Sequence, residues 1–293
     1  MDRRSRGLTL GLALLAALAA PSALAAPPAW VVRGPAGQEL WLLGSVHYLT
    51  DEDYPLPPLV DDLYSRAHAL VMEIDLDDLD PGAAQAAFAA AALLPDGVSL
   101  EQRVTPDVYA RTQAAARELG LALGPFRRYE PWLVALTLLQ RQMAEHGYRP
   151  EAGIERYLLE RAARDGKDVL GLEQVEAQVQ VFDRLSPRDQ QAVLEQTLEE
   201  LDDADASLRE LATAWRDGRL ETLAAGLSEE FDAFPTLYDA LVVERNEAWI
   251  DDIERLLDAG GGHLIVVGAL HLVGEHNVPE LLRARGLGVE PVH

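Results

Sequence analysis

The chain has 293 residues, no cysteine and a formal charge of -24 at neutral pH. That length holds one large domain or two ordinary ones with a sizeable core. The missing cysteine excludes disulfides, thiolate chemistry and lipoprotein attachment, and the acidity argues against nucleic acid as a partner, because it repels phosphate backbones.

In chain order the first stretch is a leader. MDRRSRG is basic, LTLGLALLAALAA is apolar, and Ala23-Leu24-Ala25 is a small-residue cleavage site, the order of parts in a secretory signal peptide. Residues 1–25 are therefore expected to be removed, with cleavage after Ala25 or Ala26. The apolar run is short of the about 20 residues that cross a bilayer. The expectation is a periplasmic or secreted chain with no stable membrane span after cleavage. Losing Arg3, Arg4 and Arg6 with Asp2 leaves the mature chain more acidic still.

AWVVRGPAGQELWLLG places two apolar runs around a Gly-Pro-Ala-Gly turn, a β-hairpin pattern. After His47 come the proline-rich loop YPLPP, a helical pattern from Leu59 to His68, and the short buried run ALVMEIDL. PGAAQAAFAAAALL reads as a covering helix. TPDVYARTQAAARELG has a threonine N-cap, a proline at the first helical position and a glycine stop. GPFRRYEPWLVALTLLQRQMAEHG reads as one longer helix carrying Trp132, and GIERYLLERAARDGKDVLGLE as a helix, a Gly-Lys-Asp turn and a strand ending at Glu173. Successive helices, several strongly acidic outside, run from Gln174 to about Ala259. The end of the chain repeats the opening unit: HLIVVG, then ALHLVGEHN, then a helix opening at Pro279 with Gly286 just past its end, then LGVEPV. Apolar strands alternating with helices give an α/β fold with a central, mostly parallel or mixed sheet flanked by helices. No linker rich in Pro, Gly or Ser divides the chain, so residues 26–293 are expected to form a single domain, with a helical middle at roughly 81–165 and 174–259.

Four apolar runs end at, or carry near their ends, a side chain able to bind a metal or move a proton: His47, Glu73, Glu173 and His271. In parallel sheets ligands sit outside the carboxyl ends of the strands. Gly44 and Gly268, each three residues before a histidine, permit close approach of another backbone or a ligand. Taken singly, each residue has a plain structural explanation: a core imidazole on a backbone carbonyl, a Glu73 held by an arginine, a Glu173 capping the next helix. The repeated context makes one shared site the better account. Two histidines with one or two carboxylates suit a divalent ion with a position open to water. Arg245 and Asn246 near Trp249 have the chemistry to grip an oxyanion, although a solvated helix face is the simpler reading of that stretch. His68, His146, His263, His276 and His293 read as ordinary, with His276 set apart only by lying five residues beyond His271.

Together these residues resemble the TraB/GumN family, which includes the PrgY pheromone-shutdown proteins and the animal TIKI proteases. The resemblance rests on Gly44-x-x-His47, Glu73, GIERYLLERAARDGKDVLGLEQVEAQ, Arg245-Asn246 followed by Trp249, and Gly268-x-x-His271 in VVGALHLVGEHNVPELLRARG. It spans nearly the whole mature chain. It implies a sheet-and-helix domain similar to the erythromycin esterase and ChaN folds, with a site built from the paired histidines, a glutamate and the Arg-Asn pair. Because characterised TIKI relatives are manganese- or cobalt-dependent proteases, it also implies a metal-dependent, peptidase-like hydrolase. On that reading His47, Glu73 and His271 hold a divalent ion (Mn, Co or Zn), and the substrate is a peptide or protein. Glu173 acts as base or orients a ligand histidine, and Arg245 and Asn246 stabilise an oxyanion or hold a substrate carboxylate. Which carboxylate ligates and which moves the proton stays open. So do two rivals: a non-catalytic protein that captures a peptide, haem or metal, and a metal-free, esterase-like hydrolase with histidine as base. No G-x-S-x-G elbow supports serine chemistry.

Overall fold

The hairpin expected from AWVVRGPAGQELWLLG forms as β1 (Ala29–Arg33) and β2 (Glu39–Ser45), paired antiparallel. The computed structural model describes residues 26–75 and 81–293, so the leader expected at residues 1–25 lies outside it. Four further strands follow: β3 (Ala69–Ile74), β4 (Asp168–Glu173), β5 (His263–Gly268) and β6 (Gly288–Pro291). All six share one sheet in the order β4-β3-β5-β2-β1-β6.

The four strands from β4 to β2 run parallel, whereas β1 is antiparallel to both β2 and β6. The sheet is therefore mixed, and the α/β reading holds. β5 lies at its centre with all six residues buried, as a continuous apolar run flanked by paired strands should. Successive residues feed opposite faces, because side chains alternate along a strand. Leu43 and Leu264 pack on one face with Leu63, Leu158 and Trp215. Leu42 and Ile265 pack on the other with Trp249, Ile253 and Leu282. Helices thus cover both faces, and a separate helical cluster forms around Leu100, Val134, Leu138 and Leu194.

The helix Pro106–Glu118 starts as its sequence demands: Thr105 accepts a hydrogen bond from the Val108 amide, and Pro106 takes the first helical position. One expectation fails. The stretch from Gly124 to Gly147 is not continuous but splits into a 3-10 turn, Gly124–Arg128, and a helix, Pro131–Glu145. The break falls at Glu130, which is extended ahead of Pro131. A proline ring clashes with a helical conformation at the preceding residue, so the new helix begins on the proline instead. Among the described residues no helix is long and apolar enough to cross a membrane.

Parallel pairing brings the carboxyl ends of β2, β3, β4 and β5 to one rim. The two units that carry the G-x-x-H pattern lie side by side, with Ser45 opposite Gly268.

Candidate active site

The glycines of the two motifs interlock. A side chain at Gly44 would meet the Ala269 Cα at 3.1 Å and its Cβ at 3.2 Å, so this glycine lets the turn after β5 pack on β2. A Cβ at Gly268 would stand 3.4 Å from His47 Nε2, 3.4 Å from Glu73 Oε1 and 3.6 Å from His271 Cδ2. Both imidazoles and the Glu73 carboxylate therefore converge over one point of backbone.

His271 is fixed from behind. Its Nδ1 lies 2.7 Å from Asn246 Oδ1, and the Asn246 amide nitrogen donates to the His276 carbonyl at 2.9 Å. Since the carbonyl needs a donor, the Asn246 oxygen faces His271, and Nδ1 of the imidazole carries the proton. Nε2 is left as the lone-pair nitrogen, and Arg245 Nη1 approaches it at 3.2 Å. His271 is buried, and Asn246 is 0 % exposed. Burial, with Arg245 and His47 adding, pushes His271 down to about 4 against the pull of Glu73.

Arg245 sits between two carboxylates. Its Nη2 donates to Glu73 Oε2 and to Glu173 Oε1, both at 2.6 Å, and its Nε to Glu173 at 3.1 Å. Gln178 bridges the same carboxylates at 3.2 and 2.8 Å, and Trp249 Nε1 donates to Glu173 at 3.3 Å. The Gly268 amide donates to Glu73 Oε1 at 2.8 Å. Burial works against ionisation of Glu73, but His271, Arg245, His47 and that amide together hold it down at about 2.

The solvated helix face favoured for Arg245 and Asn246 is thus corrected: Arg245 has only 12 % of its side chain exposed. Both ends of the Asn246 carboxamide are engaged inside the protein, so it orients His271 and does not reach toward an oxyanion. Glu173 likewise gives its oxygens to Arg245, Gln178 and Trp249. It anchors the guanidinium and neither orients a histidine nor caps the next helix, whose N-cap is Gln174. The backbone-carbonyl explanation fails for both histidines, since Nδ1 of each meets a side-chain oxygen.

For His47 that oxygen belongs to Glu155, a residue the sequence did not single out. His47 Nδ1 lies 2.8 Å from Glu155 Oε1, and Ser45 Oγ donates to the same atom. Glu155 stands in the first turn of the helix Ile154–Asp165, whose N-cap Gly153 packs against the His47 carbonyl where any Cβ would collide at 2.2 Å. Acidic residues favour first turns of helices generally, so the glutamate in GIERY carried no distinguishing signal. Glu155 lifts His47 to about 9, with Glu73 adding and the surrounding protein opposing. The imidazole is 57 % exposed, so water screens part of that attraction. Burial opposes ionisation of Glu155, but His47 and Ser45 keep its pKa below the ordinary glutamate value.

The donor set suits a divalent cation. Each imidazole has Nδ1 tied to a side-chain oxygen, the arrangement that orients metal-binding histidines; His47 Nε2 faces the shared point, and His271 Nε2 lies 3.7 Å from Glu73 Oε1. Three carboxylates face one guanidinium and His47, leaving negative charge to neutralise. Among the described residues no three His, Cys, Asp or Glu side chains stand as they would around a metal ion, and His271 Nε2 takes a cation only by releasing Arg245 Nη1.

A family model described as the TraB/PrgY/gumN family matches residues 28–291. The uncharacterized protein YbaP of Escherichia coli (strain K12) is 30% identical over 256 residues, covering 87% of this chain and 92% of its own length. An uncharacterized protein of Treponema pallidum (strain Nichols) is 23% identical over 275 residues, covering 88% of this chain and 80% of its own. No solved structure matches. With the strand-end histidines, the inward-facing Arg-Asn pair and a match along nearly all its described length, the chain belongs to the TraB/PrgY/gumN family.

Proposed function

We propose that the cleft is the active site of a divalent-cation-dependent hydrolase that cleaves acyl bonds in peptides or proteins. The observation that carries this reading is the convergence of His47 Nε2, Glu73 Oε1 and the His271 ring over Gly268. Those three side chains would hold the ion. A bound divalent cation lowers the pKa of water and polarises a carbonyl. Glu155 and Asn246 hold the two imidazoles in the tautomer that offers Nε2. Glu173 and Gln178 hold Arg245 in place. With His271 Nε2 given to the ion, Arg245 Nη1 would be free to donate to the oxygen that gains charge as a carbonyl is attacked. Tested on a peptide library with added Mn²⁺, Co²⁺ or Zn²⁺, the purified chain should form product beyond one equivalent. Chelator, His47→Ala and His271→Ala should each abolish it. Stoichiometric capture without product would instead identify a binding protein.

The His47–Glu155 contact supports one rival, a metal-free hydrolase. A histidine held near 9 is an imidazolium at neutral pH, able to hand the Nε2 proton to a leaving amine or alkoxide and recover it from the attacking water. Turnover that survives chelation but not His47→Ala would select this reading over the first.

A further inference from the structure

At the opposite rim of the sheet, where β3 and β5 begin, stand two more imidazoles. His68 precedes β3 and His263 opens β5, with ring centroids 4.6 Å apart and planes inclined by 62°. With Ala69, Lys167 and Asp168 they line a cavity of about 310 Å³. Ala69 is the register partner of both Asp168 on β4 and His263 on β5. Paired residues of parallel strands share a face, so Asp168 and His263 flank a single methyl group, which leaves the gap between them open.

The chain is shaped to seat this pair. Gly260, Gly261 and Gly262 all have positive φ, and a Cβ at Gly262 would lie 2.4 Å from His68 Nδ1. Only glycine lets the His68 ring settle there. His263 is 9 % exposed, and its Nδ1 is buried without a hydrogen-bond partner. A buried polar atom left unpaired is costly, so such an atom beside a polar cavity points to a missing partner. Burial, and then His68 beside it, push the His263 imidazole below its ordinary value, while a backbone contact with Gly261 opposes this. The cavity's lysine does not compete: Lys167 Nζ donates to the Tyr64 carbonyl at 2.6 Å and to that of Ala67, 4.0 Å over the Tyr64 ring.

We propose that His68 and His263 bind a divalent transition ion of the zinc, nickel or copper class at this rim, apart from the cleft. Imidazole nitrogen is a donor those ions prefer. Among the described residues no three His, Cys, Asp or Glu side chains are placed to hold an ion together, so the two imidazoles anchor it and water from the cavity completes the shell. An ion held here ties together the starts of β3 and β5 and stabilises the folded chain, because the unfolded chain does not present the pair.

Zn²⁺ titration of the full chain tests this, read by calorimetric stoichiometry and by the shift in Tm. The parent is the double variant His47→Ala, His271→Ala, which lacks two donors of the cleft. It should still bind one Zn²⁺ per chain and melt higher with Zn²⁺ present. Adding His68→Ala, an exposed position, should remove both the binding and the shift. His263→Gln, which avoids emptying a buried site, should do the same, with circular dichroism confirming that each variant is folded. Failure of the parent to bind Zn²⁺, or binding that is unchanged by His68→Ala, overturns the proposal. Neither result bears on the cleft, whose histidines are absent throughout.

Discussion

Asn246 Oδ1 accepts the Nδ1 proton of His271 at 2.7 Å, and Asn246 itself is wholly enclosed. The contact sets which imidazole nitrogen faces the rim. Asn246→Ala leaves that proton and the His276 carbonyl without their partner. An unsatisfied buried donor costs about 1–3 kcal/mol, so urea unfolding should show a loss of that size. Turnover should fall further than stability, because the imidazole can then adopt the wrong tautomer. Equal stability in the variant and the parent would refute the role.

Arg245 invites the opposite comparison. It is the one cation among the described residues in contact with both Glu73 and Glu173. Removing one partner of a buried ion pair costs about 3–5 kcal/mol, because a charge is stranded. Arg245→Met should be destabilised by about that amount, and Glu73→Gln combined with Glu173→Gln should restore part of it. A loss no larger than for a surface arginine such as Arg66 would contradict this reading.

The two motif glycines should fail differently. At Gly268 an added methyl meets only side-chain atoms, none nearer than 3.4 Å. Gly268→Ala should fold nearly as well as the parent and lose activity, its methyl standing where the donors converge. At Gly44 the methyl presses on the Ala269 backbone at 3.1 Å and on the Pro28 side chain at 3.2 Å. Overpacking of that kind costs about 1–3 kcal/mol, so Gly44→Ala should lower the urea midpoint. Indistinguishable phenotypes would show that the glycines do not divide these tasks.

The pH dependence has a definite sign on each side of neutrality. His47 is raised from 6.5 to about 9. Its pairing with Glu155 therefore stabilises the fold fully below 6.5, and that contribution is lost as pH rises through about 9. His271 is lowered from 6.5 to about 4, so the unfolded chain binds its proton more readily, and stability falls as pH drops from 6.5 toward 4. The site alone makes stability greatest near pH 6.5. In Glu155→Gln the decline on the alkaline side should shrink while the acid side persists, as measured by unfolding free energy across pH. The exposure of His47 makes its share the smaller one. An alkaline limb unchanged in Glu155→Gln would exclude the pair as its source.

Much of this architecture could be read from residue order. Gly-Pro-Ala-Gly between apolar runs marks the hairpin, and four strand ends carrying His or Glu mark one rim of a parallel sheet. What escaped reading depends on distance in the chain. Glu155 meets His47 across more than a hundred residues, and an acidic first-turn residue looks the same whether it faces water or an imidazole. Arg245 lies in a polar helix start that resembles a surface, and only the fold reveals two carboxylates closing on it. His68 and His263 looked ordinary because nothing local shows that β3 and β5 are neighbours. Pro131, by contrast, acts on its immediate neighbour: its ring disfavours a helical Glu130, which divides the long helix there.

On the proposed reading, His47, Glu73 and His271 act as one cation site. The most direct measurement is metal content of the His68→Ala chain after loading with Mn²⁺ or Co²⁺ and exhaustive dialysis, so that only the cleft is counted. One ion per chain is expected, falling to none when His47→Ala or His271→Ala is added. Equal metal content in all three proteins would contradict the account.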